Sequence, residues 1–191
     1  MQREKAWEIL KKYNREPSHI RHALAVEATM RHFAQIFAED PELWGAVGLV
    51  HDVDWEQTQA EPSRHCHRAV DLLTAEGVAP EIIRAVQSHG WGICSDIEPL
   101  SNLEKVLYAA EELTGLVIAC GLVRPSRSLM DLEVKSVKKR WKDKTFAKGV
   151  NREVITMGAE RLNIPLETLI NGTIQALRPV EKDLGLGLCD E

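Results

Sequence analysis

Long apolar runs are missing from this chain of 191 residues. A membrane-spanning helix needs about 20 consecutive, mostly apolar residues, and no uninterrupted run approaches that length. The first five residues, Met1–Lys5, are mostly polar or charged, and no apolar stretch follows them as it would in a secretory signal peptide. We therefore expect a cytoplasmic protein that has no membrane partner.

Cysteines and aromatic residues are also scarce. The cysteines Cys66, Cys94, Cys120 and Cys189 are scattered without a C-x-x-C pair, so we expect neither a disulfide framework nor a zinc ribbon. Cys66 has no neighbour in sequence that would activate a thiol, and it is interpreted as a small buried residue. Aromatic residues make up only 5% of the chain, which favours helices lined by aliphatic side chains over aromatic-rich strands.

An excess of positive charge is absent as well. The chain has 24 Lys and Arg against 29 Asp and Glu, which gives a net charge of −5. This balance argues against a nucleic acid as a general partner. Hydrophobic residues make up 44% of the chain, the proportion of an ordinary folded domain, and the length suits one domain better than two.

Helical periodicity runs through nearly the whole chain. One buried stripe recurs at steps of three and four residues, and a later stripe predicts a helix from Met130 to Trp141. No segment shows the period-two alternation of a strand. We predict a single all-α domain, a helical bundle over residues 1–178, followed by a mobile or loosely docked tail over 179–191. The first stripe consists of Ala23, Val26, Met30, Phe33 and Phe37.

Helix starts are marked by residues that satisfy free backbone N–H groups. Asp40 precedes Pro41, which is the usual order of an N-cap and the first helical residue. The segment 101–104 has the form of a capping box, and Asn151 is in position to cap a later helix. These signals predict helices that begin close to 41, 102 and 152.

Several histidines lie at places where they can meet an acidic group. His22 is four residues before Val26, at the edge of the buried stripe, and His51–Asp52 ends the apolar segment 43–50. His89 ends the helix predicted after residue 80. A buried, unpaired carboxylate is strongly disfavoured, and a divalent metal shared with several imidazoles would compensate Asp52. The alternative is that each histidine is an ordinary hydrogen-bonded residue.

The ordered series His22, His51–Asp52, His65 and His89, followed by an acidic residue, resembles the pattern of the HD-domain superfamily of metal-dependent phosphohydrolases. The resemblance covers about residues 18–178 and points to a branch of uncharacterised predicted hydrolases. It implies a helical bundle that carries a metal site. The segments that carry it are 18–22, 49–56, 104–116, 122–126 and 142–147.

The resemblance implies that a first metal is held by His22, His51, Asp52 and a late acidic residue. Alignment through 108–110 puts Glu111 where the family normally has Asp. The extra methylene of Glu moves the ligating oxygen or changes its denticity. Glu111 is interpreted as a retained ligand with altered geometry, and the alternative is a weakened or lost metal position.

His65 and His89 match the two further histidines that hold a second metal in some members, where the Asp of the doublet bridges both ions. The cofactor expected from the resemblance is therefore one or two divalent ions. Imidazole-rich ligation favours Mn, Fe, Co, Ni or Zn over Mg alone. Asp52 is expected to act at the catalytic centre, and Asp54 either moves a proton there or caps the next helical turn.

A basic cluster, 138–144, is the remaining candidate for substrate binding. If it faced the metal, Lys142 or Lys144 would hold a substrate phosphate, with Arg124 as a bidentate partner. The alternative is a solvated helix face, which is the commoner outcome for a run of charges.

The function implied by the resemblance is hydrolysis of a small phosphorylated molecule, such as a nucleotide or a phosphomonoester, by metal-bound water or hydroxide. Two other functions stay open. The change from Asp to Glu at position 111 supports a regulatory module that binds metal or ligand without turnover. A ligand set of histidines and carboxylates also suits a di-iron oxygenase, which we rank third.

Overall fold

The computed structural model describes residues 1–187, and helices form nearly all of its regular structure. Among these residues the backbone forms no strand, and Trp91 and Ser95 share one isolated bridge. The all-α prediction is therefore confirmed for the described chain. The helices are α1 (Arg3–Tyr13), α2 (Pro17–Ile36), α3 (Pro41–Val50), the single turn α4 (Trp55–Thr58), α5 (His67–Ala75), α6 (Pro80–Ser88), α7 (Asn102–Leu122), α8 (Val134–Trp141), α9 (Arg152–Leu162) and α10 (Leu166–Leu177).

The predicted helix starts are present. The side chain of Asp40 accepts a hydrogen bond from the backbone N–H of Glu42 at the start of α3. Ser101 and Glu104 form the reciprocal bonds of a capping box at the start of α7. Asn151 accepts from two backbone N–H groups at the start of α9. Each cap satisfies donors that the first turn of a helix leaves without partners.

Two helical regions differ from the prediction. Helix α1 was not predicted, yet its Ile9 and Leu10 are fully buried against the bundle. The helix expected from Met130 begins only at Val134, and Met130 is largely exposed ahead of it. The step of four residues from Met130 to Val134 fits a helix, but this periodicity does not show where the helix begins.

Helix α2 lies at the centre of the bundle and packs against α3, α7 and α10. On one side its buried Glu27 accepts hydrogen bonds from Arg3 of α1, at 2.6 and 3.0 Å, and from Arg31, at 3.0 Å. These bonds compensate the buried carboxylate and join α1 to α2. Among the helices described, none is both long and apolar enough to cross a bilayer.

Residues 181–187, which the sequence analysis assigns to the tail, contact the bundle. Glu181 accepts a hydrogen bond from the backbone N–H of Leu129 at 2.7 Å and also bonds Ser128. Leu184 and Leu186 are buried in the core. The rest of the predicted tail, 188–191, lies outside the described residues.

The crossing of α7 and α9 depends on a small residue. A Cβ atom added at Gly158 would lie 2.9 Å from the Cα of Ala109 in α7 and would collide with its Cβ. We expect Gly158→Ala to lower the free energy of unfolding by about 1–3 kcal/mol, because this overpacking outweighs the better helix propensity of Ala. Urea unfolding followed by circular dichroism measures the change.

The matched control is Gly115→Ala in α7, where the nearest atom to an added Cβ is a methyl carbon of Val150 at 3.7 Å. This variant is expected to be unchanged or up to about 1 kcal/mol more stable. Equal effects of the two substitutions would contradict the proposed close contact.

Candidate metal centre

The structure brings the six predicted metal ligands together, and all of them except His51 line one cavity of about 810 Å³. They come from five separate parts of the chain, and the ends of helices α3 and α6 supply three of them. Helix α2 supplies one more, the segment before α5 another, and the middle of α7 the last. The six residues are His22, His51, Asp52, His65, His89 and Glu111.

The carboxylate of Asp52 lies between two pairs of histidines. Its Oδ2 is 3.4 Å from Nε2 of His51 and 3.7 Å from Nε2 of His22. Its Oδ1 is 3.2 Å from Nε2 of His65 and 3.3 Å from Nε2 of His89. We call His22 and His51 the first pair and His65 and His89 the second pair. One carboxylate thus offers one oxygen to each pair.

Glu111 belongs to the group around the first pair. Its Oε1 lies 3.5 Å from Nε2 of His22, which is itself 3.2 Å from Nε2 of His51. One ligand atom from each of these three residues and one from Asp52 all lie within 4.8 Å of one another. The longer side chain of Glu therefore still reaches the site from helix α7.

The ring orientation of two histidines is fixed by backbone carbonyl groups. Nδ1 of His51 is 2.8 Å from the carbonyl oxygen of Gly48, and Nδ1 of His89 is 2.5 Å from that of Val86. A carbonyl oxygen only accepts, so Nδ1 donates in both rings. In the neutral ring Nε2 then carries a lone pair that faces the centre, which is the form that ligates a metal.

Asp54 orients His65 in the same way. Nδ1 of His65 donates to Oδ1 of Asp54 at 2.9 Å, and the backbone N–H of Ala69 donates to its Oδ2 at 3.0 Å. Asp54 is fully buried, so neither oxygen is free for substrate. The structure therefore gives Asp54 a positioning role at His65 and a bond to the start of α5, and Asp54 is not among the residues that line the cavity.

The carboxylates and the Nε2 lone pairs that meet at this centre require a positive charge between them. Nε2 of His65 and Nε2 of His89 are 3.1 Å apart, and each faces the other with a lone pair unless a cation or a proton lies there. Burial lowers the pKa of His65, but hydrogen bonds to Asp52 and Asp54 outweigh it and raise that pKa to about 11. The buried imidazoles and carboxylates therefore fit a metal ion, which would replace that proton.

Cys66 lies beside the second pair, and one ligand atom from each of Cys66, His65 and His89 lies within 4.8 Å of the others, so its sulfur is a further candidate ligand. Its Sγ is 3.8 Å from Nε2 of His89 and 3.9 Å from Nδ1. The sulfur therefore contacts the ring of His89. Cys66 is fully buried, as the sequence analysis expects. Its other neighbour is Cys94, with the two sulfurs 3.5 Å apart.

Apolar and acidic side chains line the cavity in addition to the predicted ligands. Trp55, Pro62 and Ile93 form the apolar part, and both Trp55 and Ile93 are exposed to it. Glu16 and Glu112 add acidic groups, and burial raises the pKa of Glu112 to about 7. Sequence reasoning missed this wall, because an exposed Trp or Ile has no distinguishing spacing in sequence.

The predicted phosphate-binding residues lie elsewhere. Lys142 and Lys144 are exposed after α8, and none of the residues that line the cavity is a Lys or Arg. Arg124 forms a bidentate pair with Asp131, at 2.9 and 2.7 Å. It follows the C-terminal end of α7, and the last residue of that helix is about 16 Å beyond Glu111 at ~1.5 Å per residue. The structure therefore does not bring this group to the metal ligands.

No family model, curated protein or solved structure matches this chain. The helical fold and the cluster of His and Asp residues are compatible with an HD domain. What the site can do is therefore argued from its own geometry.

The positioning role of Asp54 predicts the effect of Asp54→Asn. The amide oxygen can still accept from His65, but the amide nitrogen would face the N–H of Ala69, so one hydrogen bond is lost and His65 turns more freely. Metal affinity is expected to fall by roughly 10–100-fold, with a circular dichroism spectrum like that of the wild type. Zn²⁺ titration measures the affinity. Unchanged Zn²⁺ binding together with lost turnover would instead identify Asp54 as an acid or base.

Proposed function

We propose that this protein is a metal-dependent phosphohydrolase that acts on a small molecule with one phosphoryl group. The observation that supports the proposal is the Asp52 carboxylate, which offers one oxygen to each pair of histidines at the floor of an open cavity. A divalent metal bound there supplies a hydroxide at neutral pH, because it lowers the pKa of a coordinated water towards ~7.

The residues of the chain hold and orient the metal ligands before any substrate arrives. Asp52, Glu111 and the first pair would hold one ion, and Asp52 with the second pair would hold another. The Nδ1 hydrogen bonds of His51, His65 and His89 fix three of the four rings. Such preorganised ligands lose little entropy on binding. The imidazole-rich donor set favours Mn, Fe, Co, Ni or Zn over Mg.

The charge of the cavity limits the substrate to one phosphoryl group. Two divalent ions would offset Asp52, Glu111 and one phosphate dianion. Additional phosphates would meet Glu16 and Glu112 with no Lys or Arg among the lining residues. Like charges at such distances repel. The organic part of the substrate would lie on Trp55 and Ile93, whose apolar side chains also line the cavity.

The proposal is tested by metal content and phosphate release from protein purified without a metal-affinity tag. We expect wild type to hold about two transition ions and to release phosphate from monoesters faster than from triphosphates. Asp52→Ala should lose both metal and activity, because it removes the carboxylate shared by both pairs. The matched control, Asp71→Ala, changes an exposed carboxylate of α5 and should keep both.

Other outcomes would replace the proposal. Metal and phosphoester binding without product, across Mn, Co, Ni and Zn, would identify a regulatory module. Bound iron with substrate-dependent consumption of oxygen would identify an oxygenase. If the protein bound no metal even after reloading with these ions, every metal-dependent function of this site would be excluded.

The apolar wall gives a second prediction. Trp55→Ala is expected to raise KM for aryl or nucleoside monophosphates by roughly 5- to 150-fold, because stacking on an aromatic side chain contributes about 1–3 kcal/mol. Trp55→Phe should restore most of this affinity. The variant with both Lys142→Ala and Lys144→Ala is the control, and it should leave steady-state kinetics unchanged. A higher KM in the lysine variant alone would instead indicate that the basic cluster binds the substrate phosphate.

A further inference from the structure

Two cysteines meet behind the second pair of histidines. Sγ of Cys66 and Sγ of Cys94 are 3.5 Å apart, although 28 residues separate them in sequence. Cys66 is fully buried, whereas Cys94 is partly exposed and lines the cavity. An oxidant that enters the cavity therefore reaches Cys94 first, and the second thiol already lies in contact behind it.

The surrounding backbone keeps the two sulfurs together. A Cβ atom added at Gly90 would lie 2.5 Å from the sulfur of Cys94 and 2.6 Å from that of Cys66. The space over Gly90 is thus occupied by both sulfurs. Cys66 itself has a φ of +67°, a conformation that costs free energy in a residue with a side chain. The fold holds this thiol in place in spite of that cost.

We propose that Cys66 and Cys94 form a redox-sensitive thiol pair, which a peroxide converts into a disulfide. The thiol of Cys94 attacks the peroxide, the O–O bond breaks, and Cys94 becomes a sulfenic acid with release of water or an alcohol. The thiol of Cys66 then attacks that sulfur, the S–O bond breaks, and water leaves. The two sulfurs lose two electrons in total, and the peroxide gains them.

The disulfide would act on the second pair of histidines. Its formation brings the sulfurs from 3.5 Å to about 2.05 Å, a movement of about 1.5 Å. Cys66 directly follows His65 in the chain, and its sulfur packs on the ring of His89. Oxidation is therefore expected to turn these two rings and to weaken metal binding there, with less effect on the first pair. This consequence rests on the proposed metal site, whereas formation of the disulfide does not.

The first measurement detects the bond itself. Reduced full-length protein is treated with a small excess of hydrogen peroxide, and intact mass and peptide mapping are read before and after a thiol reductant. We expect loss of two hydrogens, a cross-link between Cys66 and Cys94, and full reversal. Cys94→Ser should not form it, and the matched control Cys120→Ser should. A different cross-link, or the same mass loss in Cys94→Ser, would overturn the proposal.

The second measurement detects the effect on metal. Oxidised and reduced protein, freed of peroxide, are titrated with Zn²⁺, which has no redox chemistry of its own. We expect the oxidised form to bind the second ion at least roughly 10-fold more weakly, with recovery after reduction. Disulfide formation with unchanged Zn²⁺ binding would overturn the coupling. Absence of Zn²⁺ binding in the reduced protein would instead overturn the proposed metal function, and the mapped disulfide would still be detected.

Discussion

The buried carboxylate of Asp52 is the constraint on which the rest of the site depends. Only 8% of this residue is exposed, and an uncompensated charge at such a position would cost several kcal/mol. Four imidazoles from three helices and one connecting segment surround this carboxylate, and together with it they form a site where a bound cation would offset the charge. The end of α3, the end of α6 and the first turns of α2 therefore have to lie close together in the bundle. Because these helix ends converge, the ligands that they carry converge as well.

Helices α3 and α6 are each followed by a histidine whose side chain bonds a carbonyl group of the helix's own last turn. The last carbonyl groups of a helix have no partner within the helix. His51 and His89 each occupy the residue after the last helical turn and donate Nδ1–H to the carbonyl three residues earlier. This bond gives a carbonyl of the last helical turn a side-chain donor and at the same time turns Nε2 towards the cavity. Helix termination and ligand orientation are thus one interaction.

The sequence allowed prediction of the helical class, three helix starts and the six residues that converge. The helical class and the helix starts depend on residue type and local spacing, whereas the full set of six residues was implied by the resemblance to the HD-domain pattern. The role of Asp54 was not predictable, because its partners His65 and Ala69 become neighbours only through the turn before α5. The phosphate role of Lys142 was predicted from charge alone, and the structure places Lys142 outside the lining of the cavity. A run of basic residues shows that a surface can attract anions. The distance of that surface from the metal ligands is set by the length of α7 and by the place where α8 packs.

The distribution of basic residues supports a site made for a cation. Two buried carboxylates elsewhere in the protein have guanidinium partners, Glu27 with Arg3 and Glu104 with Arg84. Asp52 and Glu111 have imidazoles instead, and no Lys or Arg lines the cavity wall. A fixed guanidinium beside Asp52 would neutralise it permanently and compete with a metal, because it keeps its charge at all relevant pH values. Imidazoles are neutral when they ligate, so they leave the negative charge of Asp52 available to a divalent ion.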